Sequence, residues 1–199
     1  MAEAGKTGVN SNTPNNILFG AGTIHKNLKY TRGEGQTAGS WNFEESIVGA
    51  TSGGSSLSIV PEVTPIEADG AWVATKGLKV KTGEVVTLEV NFTELTKDII
   101  KSALFAQAGE SEDSAYDLLT SKANIVEGDY WENIAFVGRK LDGTKIIVIL
   151  ENALCTSGLE LGTANKEGVV ATVTFECHAT PDSGLDTLPY KIYYPKATA

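Results

Sequence analysis

The sequence has few of the residues on which most enzyme and metal chemistry depends. Among 199 residues there are two cysteines, two histidines and one methionine. Two cysteines do not provide the disulfide framework of a small secreted domain. Together with the scattered His25 and His178, they also lack the spacing of a zinc site. We therefore expect Cys155 and Cys177 to be free thiols that contribute only packing, and we expect no metal and no cofactor.

Long hydrophobic runs are also missing. The longest strongly apolar run is "IIVIL", Ile146 to Leu150, whereas a membrane-spanning helix needs about 20 apolar residues. No apolar run follows the few charges of the polar N-terminal stretch, so the sequence predicts no signal peptide. We expect a soluble protein made in a reducing cytoplasm, without a membrane partner.

Positive charge is the third scarce feature. The chain has 16 Lys and Arg against 25 Asp and Glu, which gives a net charge of −9 and a pI near 4.7. Nucleic-acid binding without sequence specificity depends on basic side chains that neutralise phosphates. The composition therefore argues against a DNA-binding surface, although it does not exclude a protein that encloses DNA without gripping it.

The chain is organised as one domain with a polar extension. Residues 1–16 are rich in Asn, Gly and Thr and show no periodicity, which indicates a flexible arm that orders only against something else. Residues 17–199 have the length and composition of a single domain with a sizeable core. Within them, residues 31–54 are glycine-rich and weakly patterned, which predicts a long loop with a functional role.

The stretch "GLKVKTGEVVTLEVNF" has the clearest strand pattern. After a turn expected at "TGE", apolar side chains alternate with polar ones, which is typical of an antiparallel hairpin with one dry and one wet face. The preceding segment "SSLSIVPEV" contains Pro61 and precedes Pro65, so it is expected to be an edge strand or an interrupted one. The residues predicted on the dry face are Val86, Leu88, Val90 and Phe92; Thr87, Glu89 and Asn91 are predicted on the wet face.

The next segment changes to helical spacing. Over residues 94–106 the apolar residues fall on one stripe, with Thr93 or Thr96 as the cap and Gly109 as the stop signal. "DSAYDLLTSKAN" is compatible with a second, shorter helix. A strand, a turn at Asp142–Gly143, a buried strand and two C-terminal strands follow. The sum is a mainly β protein, an antiparallel sandwich or barrel of seven to nine strands with one flanking helix.

No motif in the sequence supports catalysis. Cys177 falls on the apolar face of its strand, so the adjacent His178 points to the opposite face and the two cannot share a ligand. "GAGTIH" and "GEGQTAG" fit neither a dinucleotide fingerprint nor a phosphate-binding loop with its lysine. The tryptophans lie near turns or strand ends, where packing is favoured over sugar binding. We expect the protein not to be an enzyme.

Three longer stretches of the sequence stand out: "GATSGGSSLSIVPEVTPIEADGAWVATKGLKVKTGEVVTLEVNFTELT", "GDYWENIAFVGRKLDGTKIIVILENALCTSGLEL" and "FECHA…LPYKIYYP". They resemble the major tail proteins, or tail tube proteins, of long-tailed bacteriophages and prophages of Gram-positive bacteria. The likeness covers most of residues 15–195. It consists of the order of hairpin, helix, "GDY" strand and aromatic C-terminal strand, without a catalytic signature.

The resemblance implies a β-sandwich of the tail tube type that forms hexameric rings. The rings stack into a hollow tube through which DNA passes without specific binding. It implies as partners other copies of the chain and the tape measure, tail terminator and distal tail proteins. The location would be the virion tail, after assembly in the host cytoplasm. It does not separate a flexible tail from a sheathed one or from a domesticated tail-like particle.

The resemblance also suggests roles for individual residues. Thr87, Glu89 and Asn91 would line the lumen, where negative charge lets DNA slide; Lys79 and Lys81 on the same hairpin fit this role poorly. The arm and the loop at 31–54 would contact neighbouring subunits and rings. The residues expected at these contacts are Asn15, Asn16, Phe19, Trp41 and Phe43.

Two other classes of function stay open. A monomeric β-sandwich module for adhesion or carbohydrate binding would use exposed tryptophans and would need export, for which no signal is predicted. A small enzyme on a β-barrel is the weakest alternative, and it would require one of the two histidines.

Overall fold

The computed structural model describes residues 8–35, 38–182 and 184–196. These residues form a mainly β structure with antiparallel pairing throughout, as predicted. The helices are α1 (Phe43–Ser46) and α2 (Lys97–Ala103), and 3-10 turns occur at Pro14–Asn16 and Glu127–Asp129. The strands are β1 (Leu18–Lys26), β2 (Tyr30–Thr31), β3 (Ser40–Trp41), β4 (Thr51–Pro65), β5 (Lys79–Phe92), β6 (Gln107–Gly109), β7 (Leu118–Thr120), β8 (Trp131–Lys140), β9 (Lys145–Cys155), β10 (Ala171–Cys177) and β11 (Tyr190–Tyr193).

The main sheet has the strand order β1-β8-β9-β10-β5-β4, and β11 also pairs with β9. Strands β8 and β9 are joined by the predicted turn at Asp142–Gly143. There the Asp142 carboxylate accepts hydrogen bonds from the backbone N–H and the hydroxyl of Thr144, and Gly143 takes the left-handed conformation with φ +85°.

The sheet bends at β9 and encloses a single main core. Strand β9 pairs with β10 only near Cys155 and with β11 over Ile147 to Leu150, so β10 leaves the line of β9 and carries β5 and β4 across the core. Strands β1 and β4 are the two ends of this strand order. Between them, the N–H of Val48, just before β4, donates to Ile24 O of β1 at 3.0 Å. The side chains in this core that come from the strands and α2 include Ile24, Val86, Leu88, Val90, Phe92, Ile99, Trp131, Ile134, Leu150, Val173 and Phe175.

The predicted dry face of β5 is confirmed, but the predicted turn at "TGE" is wrong. Strand β5 continues through these residues and pairs with β4 over nearly its whole length. The register shifts at two places, between Thr51 and Ser55 and between Glu62 and Val63. At the second, Glu62 pairs with Gly83 and Val63 with Lys81, so Thr82 is the extra residue of a bulge. The chain reverses further on, between β4 and β5. Strand β4 is an edge strand, as its prolines predict.

The predicted helix forms but is shorter than residues 94–106. Thr96 is the N-cap, and its hydroxyl accepts from the Ile99 N–H at 3.4 Å. The helix ends at Ala103, well before Gly109, because Phe105 adopts a left-handed conformation with φ +47°. The Ala106 N–H then donates to Lys101 O at 2.9 Å, which closes the helix as in a Schellman motif.

The second helix predicted in "DSAYDLLTSKAN" is wrong. The Asp113 carboxylate accepts from the Ala115 N–H at 2.9 Å, and such a local bond competes with helix formation. Leu118–Thr120 instead pair with Gln107–Gly109 as strands β7 and β6. No described helix is long and apolar enough to cross a membrane.

The outer face of β8 and β9 is covered by the segment that was predicted as a glycine-rich loop at 31–54. Strands β2 and β3 and helix α1 bring Trp41 and Phe43 onto a second apolar cluster formed by Leu28, Ala135, Val137, Ile147 and Ile149. Strand β9 is therefore buried on both faces, which explains the uninterrupted apolar run at its centre.

Neighbouring residues on β5 test the two-faced arrangement of this strand. Leu88→Ala removes a side chain with no exposure from the main core, so we expect a loss of about 3 kcal/mol in the free energy of unfolding. Glu89→Ala, the matched control on the exposed face, is expected to change it by less than about 0.5 kcal/mol. Urea denaturation measures both, and equal losses would contradict the assignment of faces.

Candidate assembly surfaces

The structure brings Thr87, Glu89 and Asn91 together on the outward face of β5. Thr87 and Glu89 each have a polar neighbour on both adjacent strands, and Asn91 has polar neighbours on β10 and at the start of β4. Thr87 lies between Ser58 and Glu176, and Glu89 lies between Ser56 and Thr174. We call this surface the polar face; its residues are Ser56, Ser58, Thr87, Glu89, Asn91, Thr172, Thr174 and Glu176.

The polar face is hydroxyl-rich and acidic. Its eight residues include two carboxylates and no lysine or arginine. The Thr172 hydroxyl donates to Asn91 Oδ1 at 2.6 Å, and Asn91 Nδ2 donates to Gly54 O at 3.2 Å, so both polar ends of the amide are fixed. This arrangement presents a surface that repels anions and offers no cation to hold them.

Lys79 and Lys81, which fitted a lumen poorly, lie on the other side of the hairpin. The bulge at Thr82 reverses the alternation, so Lys81 follows the face of Glu84 and the core residues. Lys81 Nζ lies 2.9 Å from Glu84 Oε2, and the hydrogen bond from Lys81 lowers the pKa of that carboxyl. Sequence reasoning missed this because it placed a turn at "TGE", whereas β5 runs through these residues and contains one extra residue there.

The end of the β4–β5 hairpin extends away from the core. Every residue from Val60 to Gly77 is exposed, and the strand part of this segment projects by roughly 20 Å at the usual rise per residue. We call residues 60–77 the hairpin arm. Trp72 near its end is 95% exposed and Val73 is 78% exposed. An arm with this much apolar surface and a free strand edge has the properties of an association element.

Three of the residues predicted at subunit contacts are accessible. Asn15 and Asn16 lie in the exposed turn Pro14–Asn16, where Asn16 Oδ1 accepts from the Tyr194 hydroxyl at 3.3 Å. Phe19 on β1 is 69% exposed. The first seven residues of the predicted arm lie outside the described residues. The contact role of these three residues stays a prediction.

Trp41 and Phe43 make their observed contacts within the chain. Trp41 packs edge-on against Tyr193, with ring centroids 5.0 Å apart, and also contacts Tyr30. Phe43 lies under the ammonium group of Lys145, which is 3.8 Å from the ring centroid. Both are only partly buried, so a further contact with a neighbouring subunit stays a prediction, but their first role is to cover β8 and β9.

Cys177 and His178 diverge as predicted. The Cys177 thiol is buried and donates to Glu151 O at 3.2 Å, and burial raises its pKa to about 12. His178 packs edge-on against Tyr130, with ring centroids 5.5 Å apart. Burial also raises the pKa of the Cys155 thiol. Thiols in this state are poor nucleophiles at neutral pH.

His25 is buried in a small hydrogen-bonded network that sequence reasoning did not anticipate. The Ser46 hydroxyl donates to Asn42 O at 2.7 Å. The His25 Nδ1–H is therefore the donor in the 2.9 Å bond to Ser46 Oγ. The Thr23 hydroxyl donates to Nε2 at 2.8 Å. Because the imidazole donates to the serine, it does not activate that hydroxyl as a general base would; the network satisfies polar groups beneath α1.

Neither a metal site in the described residues nor similarity to a known protein indicates a function. In the described part of the chain, no three His, Cys, Asp or Glu side chains are grouped so that they could hold a metal ion. In comparisons with known proteins, no family model matches the chain, and no curated protein matches it significantly. The functional argument therefore depends on the polar face, the hairpin arm and the sheet edges.

The buried His25 network predicts a pH dependence of stability. Burial, assisted by the charge of Lys145, lowers the pKa of His25 from 6.5 to about 4, so the folded state binds a proton less readily than the unfolded state. Stability attributable to His25 is complete above pH 6.5 and falls as the pH drops towards 4. Between pH 7 and pH 5 we expect a loss of about 2 kcal/mol.

Urea denaturation at both pH values measures this loss, and His25→Gln is the control. Glutamine keeps a donor and an acceptor but does not titrate, so the other ionisable groups contribute equally to both proteins. The variant is expected to lose about 2 kcal/mol less than the wild type between pH 7 and pH 5. The same pH dependence in both proteins would contradict the account.

Proposed function

We propose that the chain is a structural subunit of a bacteriophage tail tube and is not an enzyme. Its copies would assemble into hexameric rings that stack around a lumen for DNA. The observation that supports this proposal most directly is the combination, on β4, β5 and the adjacent β10, of an acidic polar face, an open edge and a projecting arm. The phrases that resemble tail tube proteins include this pair of strands.

The open edge supports assembly through shared sheets. Strand β4 has 15 residues and pairs with β5 on one side only, so its other side presents unpaired backbone groups. Pro61 and Pro65 lack backbone N–H donors, and the pairing of β4 with β5 is irregular between Thr51 and Ser55, so residues 55–60 form the continuous stretch. Proteins avoid such exposed edges unless something covers them. Joining the sheets of successive subunits in a closed ring would remove the edges.

The polar face supports the lumen role. Glu89 and Glu176 stand among hydroxyl and amide groups, without a basic residue on the face. At physiological ionic strength, electrostatic repulsion acts over about 8 Å, which keeps phosphates away from a wall without preventing passage along it. The net charge of −9 agrees with such a surface.

A monomeric binding module is the second candidate, and the exposed Trp72 is the observation in its favour. An indole on an exposed arm can stack on a sugar ring or another flat ligand. The other two tryptophans do not add to such a platform: Trp131 is buried and donates to Ser102 Oγ at 2.7 Å, and Trp41 packs on its own sheet. One indole gives a small platform, so we rank this candidate second.

Negative-stain electron microscopy and light scattering over a concentration series distinguish the two candidates. Rings or hollow tubes from the purified chain are the expected result. A monomer at every concentration, together with binding to a glycan array that Trp72→Ala abolishes, would contradict the proposal and favour the binding module.

A labelling experiment on assembled tubes tests where the polar face lies. Glu89→Cys adds an exposed thiol to a protein whose own two cysteines are buried. After biotinylation of the subunits and assembly, streptavidin should bind only at tube ends, because it is too large to travel along a lumen. Glu112→Cys, the control in the exposed loop between β6 and β7, should be decorated along the tube. Decoration of the Glu89→Cys tubes along their length would contradict the lumen assignment.

A further inference from the structure

A cavity of about 330 Å³ opens on the outer side of β1, β8 and β9. Its walls are largely apolar and aromatic, formed by Phe19, Phe43, Ile47 and Val137, with Thr23 and His25 among the residues that line it. The volume is within the range of sites that hold a small ligand or a large side chain. The polar face lies on β4, β5 and β10, so this cavity belongs to a different surface.

Two cations stand together at this cavity. Arg139 and Lys145 line it and are directly opposite each other on β8 and β9. Neither forms a salt bridge with any residue that the structure describes, and Glu44 is the one carboxylate among the lining residues. Like charges in directly opposite positions destabilise a strand pair. A bound group with an aromatic part and an anionic part would pack against the apolar walls and neutralise the two cations.

We propose that the cavity receives Trp72 from the hairpin arm of a second copy of this chain, with Glu67 and Asp69 facing Arg139 and Lys145. The segment from Ile66 to Ala74 carries these two carboxylates and no basic residue. Its indole is 95% exposed. Charge complementarity therefore selects the arm as the occupant, and the aromatic walls suit an indole. The contact rests on the proposed self-assembly and specifies one of its joints.

The contact would be heterologous, because the arm and the cavity are different surfaces of one chain. Each copy would offer an arm to one neighbour and a cavity to another. A contact of this kind propagates into a closed ring or an open stack, whereas a self-complementary contact stops at a dimer. This is the behaviour that an assembling subunit needs.

Reversing the charges of each partner tests the contact. One variant carries Glu67→Arg and Asp69→Arg; the other carries Arg139→Glu and Lys145→Glu. Each alone places like charges together, so we expect the association constant to fall at least about 100-fold. In an equimolar mixture every arm again meets a cavity of opposite charge, so association should return as an alternating assembly. Light scattering and electron microscopy measure the association of each variant alone and of the mixture.

Matched controls separate this contact from effects of net charge. Glu110→Arg with Glu112→Arg changes the charge as the arm variant does, and Lys101→Glu with Lys166→Glu matches the cavity variant; all four residues are exposed. Both controls should associate like the wild type, and circular dichroism confirms that every variant is folded. If the wild type associates and the mixture does not recover, the contact is wrong while the tail tube proposal stands. If the wild type stays monomeric at every concentration, the contact is wrong, and glycan binding that Trp72→Ala abolishes then contradicts the tail tube proposal as well.

Substituting the indole gives an independent readout of the same contact. Trp72→Ala should weaken association at least about tenfold, as expected for an aromatic anchor, whereas Trp72→Phe should retain part of the affinity. The emission spectrum of the wild type minus that of Trp72→Phe should shift to shorter wavelength on assembly. An unshifted difference spectrum in assembled material would show that the indole stays in water and would overturn the proposal.

Discussion

The backbone pairing of β9 is the interaction on which the rest of the structure depends. This strand pairs with β8 on one side and with both β10 and β11 on the other. The two strands use different parts of β9: β11 pairs with Ile147 to Leu150 and β10 only with Ala153 to Cys155, so most of β10 extends beyond β9 and pairs with β5. The core is enclosed because β1 and β5, which are far apart in the strand order, contribute side chains to the same cluster.

Strand β9 is buried on both faces, so a layer of side chains must cover it on each side. The inner layer is the main core, and the outer layer is the segment with Trp41 and Phe43. The segment that looks least structured in the sequence is thus needed to remove the outer face of β8 and β9 from water. Its glycines connect short elements, while two aromatic side chains supply most of the cover.

The sequence predicts well those features that depend on local alternation, and less well those that depend on one unusual residue. The faces of β5 and the edge position of β4 follow from the side-chain period and from proline. The bulge at Thr82 was not predictable, because "KTGE" has the composition of a turn and pairing with β4 decides the outcome. Phe105 ends α2 in a conformation that sequence patterns assign to glycine. The cavity beside Arg139 joins residues from four separate elements, which no spacing reveals.

The arm and the open edge are also aggregation hazards, so the proposed association requires a means of disfavouring non-specific contacts between copies. Copies of the chain repel one another at long range through their net negative charge, and in the proposed contact they attract one another at short range. A net charge of −9 separates copies that approach at random, and Pro61 and Pro65 interrupt the edge near the arm. In the proposed contact, the carboxylates of the arm face Arg139 and Lys145, so this orientation gains attraction against the general repulsion. In the proposed assembly, the acidic composition therefore selects the productive encounter as well as shaping the lumen.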